Sequence, residues 1–132
     1  MLLAVIDSRN RVITLSNAGH CYPILFRSRT RTAETLVVKG MPLNFTDNIL
    51  CEECAITMEP NDCMVLYSDG VNEAQSSALE FFGDERIQSL VVQYAHGPAE
   101  LVLQKIIDET KLFSKGVPQS DDITILVVKA TG

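Results

Sequence analysis

At 132 residues, 46% of them hydrophobic and with a mean hydropathy of +0.13, the chain is long enough for one domain with a real core and too short for two. A formal charge of -6 and a pI near 4.8 exclude the clustered Lys and Arg of a polyanion-binding surface, so no nucleic-acid partner is expected. No apolar run reaches the roughly 18 to 20 residues that span a bilayer, and the start lacks the basic segment and small-residue site of a secretory leader; the expected place is the cytoplasm, with no membrane role for this segment.

The first half is strand-rich. Leu2 to Ile6 and Val12 to Leu15 flank the polar turn Asp7-Ser8-Arg9-Asn10, the signature of a hairpin. Tyr22 to Phe26 and Glu34 to Val38 predict a second pair around a tip that carries Arg27, Arg29 and Arg31. Interleaved with Ser and Thr, these arginines are expected to be solvated, with a phosphate or partner contact as the alternative. Pro23 cannot donate to a ladder and belongs at a strand start or edge. Gly40-Met41-Pro42-Leu43 breaks the pattern and opens a loop through Asn48. Glu53 to Met58 and Cys63 to Tyr67 then form another hairpin around Glu59-Pro60-Asn61-Asp62.

Helical periodicity begins after Gly83. Ile87, Leu90, Val91 and Tyr94 share one face of a helix over 84–94, with acids in its first turn where the helix dipole favours them. Gly97-Pro98 ends that helix and starts a second over 99–113, whose buried stripe is Leu101, Val102, Ile106, Ile107 and Phe113. A final strand, Ile123 to Val128, is almost continuously apolar and predicts burial on both faces. Meandering strands, two helices and a closing strand predict an α+β domain.

Of the four cysteines, Cys51 and Cys54 form a C-x-x-C, but Cys21 and Cys63 supply no second pair at zinc spacing. Free, partly buried thiols are therefore expected, with a thiol or zinc site at Cys51 and Cys54 as the minor alternative.

The feature richest in chemistry is a pair of acidic stops. The apolar strand 62–67 ends at Ser68-Asp69-Gly70-Val71, and Asp121-Asp122 precede the last strand. A lone Ser-Asp-Gly is usually a turn. Two carboxylates on stiff strand ends, however, suit a shared hard cation, and Gly70 permits a positive φ or a close approach of backbone to an ion or phosphate.

Five stretches together resemble the SpoIIE-type branch of the metal-dependent (type 2C, PPM) protein serine/threonine phosphatases. They are Leu15-Ser16-Asn17-Ala18-Gly19-His20, Gly40-Met41-Pro42-Leu43, Leu66-Tyr67-Ser68-Asp69-Gly70-Val71-Asn72-Glu73-Ala74, Phe82-Gly83-Asp84-Glu85-Arg86-Ile87 and Asp121-Asp122-Ile123-Thr124-Ile125-Leu126, in the family's order and approximate spacing. The resemblance implies part of an αββα sandwich of antiparallel sheets with two helices packed outside. It also implies a centre of two ions, Mn²⁺ or Mg²⁺, that activates a water and clamps the phosphoryl oxygens, so that no nucleophilic side chain is needed.

Matched residue by residue, Asp69 corresponds to the family's metal-bridging aspartate and Asp121 to the aspartate that binds one ion ahead of the last strand. Both thereby become the catalytic and metal residues. Asp122, where relatives often carry Asn, becomes a neighbour of the site or an alternate ligand. Gly70, Asn17, Gly19 and His20 are matched as residues that shape the site; His20 stands where many eukaryotic relatives carry an aspartate linked to a third metal, and gives that ion no support.

The same resemblance implies that residues 1–132 are the C-terminal portion of the catalytic domain, without the upstream strands that supply further ligands. The metal centre is then incomplete and the isolated chain is expected to be inactive. The implied substrate is a phosphorylated protein of the anti-sigma-factor antagonist type, in bacterial signalling. An incomplete sandwich leaves apolar sheet surface bare, so a homodimer is expected. The alternative is a non-catalytic partner-binding or regulatory module on the same scaffold.

Overall fold

A computed structural model describes residues 1–44 and 51–132. Part of the loop expected through Asn48 lies outside the described residues. The described strands are β1 (Leu2–Asp7), β2 (Val12–Asn17), β3 (Ile24–Arg27), β4 (Thr32–Thr35), β5 (Glu53–Thr57), β6 (Cys63–Tyr67) and β7 (Ile125–Lys129); the helices are α1 (Asp69–Asn72), α2 (Asp84–Tyr94) and α3 (Ala99–Phe113).

Two antiparallel sheets form, one in the order β1-β2-β5 and one in the order β4-β3-β6-β7. Alternation along each strand decides what meets what. Cys63, Val65 and Tyr67 of β6, with Ile24 and Phe26 of β3, face the helices and pack on Ile87, Val91, Val102 and Ile106. Met64 and Leu66 point the other way, onto Leu25, Ile13, Leu15 and Ile56 between the sheets. Helices, four-stranded sheet and three-stranded sheet therefore form successive layers, as the α+β expectation requires.

Both faces of β6 are covered, and all five of its residues are buried. Double burial was expected instead of the last strand, which the structure corrects. β7 starts at Ile125 rather than Ile123, pairs with β6 alone among the described residues, and leaves Leu126 53% exposed. An edge strand has one side open however apolar its sequence. β4 is also shifted, to Thr32–Thr35 from the expected 34–38, because its register is set by pairing with β3 from Ile24↔Thr35 to Arg27↔Thr32.

The outer face of the three-stranded sheet carries Leu3 at 55% and Val5 at 58% exposure. Both helices have the expected bounds and α2 the expected face, but the core face of α3 is Val102, Ile106 and Thr110, with Leu101 and Ile107 of the expected stripe only half-buried. Thr110 is fully buried, its hydroxyl donating to the Ile106 carbonyl at 2.7 Å. Lys129 reaches from β7 to the Ala95 carbonyl at 2.7 Å and to that of Gly97, closing the end of α2.

The arginine tip also departs from expectation. Arg29 and Arg31 are exposed, but Arg27 donates to Asp62 Oδ2 at 2.8 Å and to the Thr57 carbonyl at 2.9 Å. Asp62, fully buried, also accepts from the Ser28 N–H at 2.8 Å and the Glu59 N–H at 3.0 Å, so one carboxylate ties the end of β3 to the connection between β5 and β6. That connection was expected to close a hairpin, but β5 pairs with β2 and β6 with β3 and β7, so it carries the chain from one sheet to the other.

Candidate metal centre

At the other end of β6 the chain leaves the sheet through Ser68 and enters α1, so Asp69 opens a helical turn rather than ending a strand. Asp121 and Asp122 lie in the loop before β7. The expectation of two strand-end carboxylates is therefore corrected on both counts: neither acid is held by a ladder. What holds them is a staple. The Ser68 N–H donates to the Thr124 carbonyl at 2.9 Å, the Thr124 N–H to Ser68 Oγ at 3.0 Å, and the Ser68 hydroxyl to the Asp122 carbonyl at 2.8 Å.

Gly70 serves the same junction. It has no positive φ, and its close approach is to protein: a Cβ there would lie 2.3 Å from the Asp122 carbonyl oxygen and 3.1 Å from that of Asp121. Within the loop, the Asp122 N–H donates to Asp121 Oδ1 at 2.7 Å and Gln119 Nε2 to the Asp121 carbonyl at 2.7 Å. One Asp121 carboxyl oxygen is thus used locally, and the other has no protein partner among the described residues.

The loop of Asn17, Gly19 and His20 reaches the same end. Asn17, buried at the end of β2, accepts from the His20 N–H at 2.8 Å and donates to the His20 carbonyl at 3.0 Å, closing a tight turn. Gly19 sits at φ +68°, where a side chain would be strained and its Cβ would meet Pro42 at 2.5 Å. His20 shares a depression of ≈ 260 Å³ with Leu2, Leu66, Ser68, Thr124 and Leu126. The structure therefore gathers His20 and the Ser68–Thr124 staple on one wall.

Several residues here were not singled out by sequence. Tyr67, only 3% exposed, donates its hydroxyl to Asp84 Oδ1 at 2.9 Å, and Asn72 Nδ2 donates to the same oxygen at 2.9 Å. Cys21 lies 4.0 Å from Asn72 Oδ1. A buried tyrosine hydroxyl needs a partner, a signal that points to a polar group such as Asp84 but not to which one.

The electrostatics are one-sided. Burial pushes the Cys21 thiol up, and the charges of Asp69, Asp84 and Glu73 push it further, which disfavours the thiolate. Burial and the Asp84 carboxylate likewise keep Tyr67 protonated. Cys63, fully buried in the sheet, is pushed up to about 11, mainly by desolvation. Among the described residues the one ion pair is Arg27 with Asp62, so no Lys or Arg neutralises Asp69, Asp121 or Asp122, all of them exposed.

Hard, exposed carboxylate oxygens without a cationic partner fit Mn²⁺ or Mg²⁺, which take such donors and keep several waters. Among the described residues no three His, Cys, Asp or Glu side chains already converge as a ligand cluster. Cys51 and Cys54 are free, half-buried thiols, as expected.

Residues 1–131 match the family Stage II sporulation protein E (SpoIIE). Protein IcfG of Synechocystis is 27% identical over 128 residues, 97% of this chain and 20% of IcfG. The SiaA-PP2C domain of Pseudomonas aeruginosa superposes with a TM-score of 0.79 at 21% identity, covering 97% of this chain and 50% of that one. The Mn-presoaked phosphatase domain of the cell fate determinant SpoIIE from Bacillus subtilis gives 0.76 at 15% identity, covering 99% and 56%. The chain thus spans a fifth of the curated relative and about half of these solved domains.

Proposed function

The chain belongs to the SpoIIE family, and on that premise we propose that it is the C-terminal portion of a metal-dependent phosphatase domain that hydrolyses phosphoserine or phosphothreonine on proteins. The observation that carries this reading is the staple at Ser68 and Gly70, which draws Asp69 and the Asp121-Asp122 loop to one junction. Asp69 and Asp121 supply oxygens to Mn²⁺ or Mg²⁺, with Asp122 beside them. When bound, the ions supply an activated water and charge stabilisation at the phosphoryl oxygens.

The protein's own groups fit that division of labour. Carboxylates alone would repel a dianionic phosphate, so a cation is what makes this surface a phosphate site. Ser68, Gly70 and Thr124 fix the distance between the two acidic segments, while the protonated Cys21 and Tyr67 add no competing charge. The substrate we propose is a phosphorylated anti-sigma-factor antagonist in cytoplasmic bacterial signalling. Family membership supports it, and among the described residues no helix is long and apolar enough to cross a membrane.

The chain spans about half of the solved domains it matches, so the site is incomplete in this reading and the 132-residue chain by itself should not turn over substrate. In the longer protein, Asp69→Asn should abolish Mn²⁺-dependent hydrolysis of p-nitrophenyl phosphate; undiminished hydrolysis would remove Asp69 from the centre. The bare Leu3 and Val5 on the outer sheet support a homodimer of the isolated chain. Sedimentation as a monomer at high concentration would overturn that.

A further inference from the structure

We propose that Asp84 is a positioning residue for Asp69, acting through hydrogen bonds that bracket it. This rests on the reading of Asp69 as a metal ligand and adds a residue to which that reading assigned nothing. Asp84 opens α2, a different element from either acidic segment. Its Oδ1 accepts from Tyr67, two residues before Asp69, and from Asn72, three residues after it, each at 2.9 Å. One carboxyl oxygen therefore ties both flanks of the turn that carries Asp69 to a long helix anchored in the core by Ile87 and Val91.

The need for such an anchor follows from α1 itself. Four residues cannot hold a helical turn by their own hydrogen bonds, since nucleation is unfavourable and α1 has no side-chain cap at Ser68. The bonds it does make, the Val71 N–H to the Ser68 carbonyl at 3.0 Å and the Glu73 N–H to the Asp69 carbonyl at 2.9 Å, are local. Ser68 fixes the entry and Asp84 fixes what lies on either side. The Gly83 N–H adds a bond to the Asn72 carbonyl at 2.8 Å, so the segment just ahead of Asp84 is tied to the same turn.

The polarity of the network is also determined. Facing a carboxylate oxygen, the Tyr67 hydroxyl is the donor. Asn72 donates through Nδ2 while its Oδ1 faces the Cys21 thiol. Asp84 is the acceptor on which both donors converge. Its charge is not required for that, because an asparagine at 84 would present an amide oxygen in the same place. A positioning role and a purely electrostatic one therefore make opposite predictions for Asp84→Asn.

The test uses the 132-residue chain with Mn²⁺ alone, read by paramagnetic broadening of backbone amide resonances, which reports weak binding, and by amide exchange at Val71 and Glu73 without metal. Broadening centred on Asp69 and Gly70 is expected in the wild type. Asp84→Ala should weaken it about 10-fold, at the low end for residues beyond the ligands because Asp84 bonds the flanks of Asp69 and not Asp69 itself, and should speed exchange at both amides. Asp84→Asn should stay near the wild type in both. Tyr67→Phe removes one bond from the donor's side without touching charge, and should fall between.

Asp84→Ala matching the wild type in both readouts would overturn the proposal, as would Asp84→Asn falling as far as Asp84→Ala, since charge would then be what matters. Should the wild type show no broadening at Asp69, the positioning of a ligand in this chain is overturned, and the Asp69→Asn test in the longer protein decides the ligand reading. The exchange rates then decide separately whether Asp84 holds α1.

Discussion

β6 is five residues long, roughly 17 Å from end to end, and carries an aspartate just beyond each end that the protein uses in opposite ways. Asp62, before it, is fully buried and accepts from Arg27, Ser28 and Glu59. Asp69, after it, is exposed, and among the described residues no cation pairs with it. A carboxylate whose oxygens are consumed by protein donors is committed to the fold. One left open among other acids raises the energy of the folded state slightly and gains a reason to be there only when a cation arrives. The same residue type beyond the two ends of one strand thus divides scaffold from proposed site by its partners alone.

The largest effect expected from this contrast is at Asp62. Asp62→Ala leaves the Arg27 charge and two backbone N–H groups without their acceptor, and should destabilise the chain by about 3 kcal/mol in urea unfolding, the lower end for a broken buried pair because Arg27 is partly exposed. Asp69→Asn should shift stability by less than about 0.5 kcal/mol. The pH dependence has the same origin. Burial alone would raise the Asp62 carboxyl, but the Ser28 N–H, the Arg27 guanidinium and the Glu59 N–H outweigh it and hold it below its usual range. A depressed folded value stabilises above the unfolded one and is lost as pH falls through the folded one, so this contribution should fade below about pH 4. Equal losses of stability for Asp62→Ala and Asp69→Asn would dissolve the contrast.

Gly70→Ala sharpens it from the side of the site. In a free helical turn, alanine would be better than glycine by about 1 kcal/mol. Here the added Cβ meets the Asp122 carbonyl oxygen at 2.3 Å and its carbon at 2.8 Å, both backbone atoms that cannot rotate away. The loop must shift, and an overpacking cost of about 1–3 kcal/mol should exceed the gain in helix propensity. Net destabilisation in urea, with displaced amide resonances at Asp121 and Asp122, is expected. A stabilised variant would show that the two acidic segments are not held together as described.

How much of this was legible in the sequence depended on whether a segment declares itself locally. β6, α2 and α3 repeat their patterns over enough residues for period and breaker to fix their bounds. α1 spans four residues and shows no period, so the acidic stop read as a strand end. β7 looked doubly buried because apolarity reports what a residue tolerates, while burial depends on a neighbouring strand that composition does not name. Arg27 looked solvated because its partner Asp62 is 35 residues away. Asp69, Asp121 and Gly70 stood out as acidic stops beside a permissive glycine, and the resemblance supplied the roles proposed for them. Asp84 was read as an acid favoured by its helix dipole, and its bonds to Tyr67 and Asn72 exist only once three elements meet.

The smallest expected effect, at Ser68, separates holding a site from holding a fold. Ser68→Ala removes one donated and one accepted hydrogen bond at a partly exposed junction, while the Ser68 N–H keeps its bond to Thr124. Such bonds contribute about 1 kcal/mol net, so the unfolding midpoint should move little. The hydroxyl is nevertheless the only side-chain bond from the Asp69 segment to the Asp122 carbonyl among the described residues. Amide exchange at Thr124, whose N–H loses its acceptor, should quicken well beyond the change in global stability, because a local opening needs only the loop to lift. Exchange that tracks global stability alone would mean that the loop is held by the Gly70 contact and the Ser68 N–H, and that the hydroxyl is incidental. Faster local exchange with the fold intact would place the acidic loop among the least strongly held parts of the molecule, in contrast to Asp62 at the other end of the same strand.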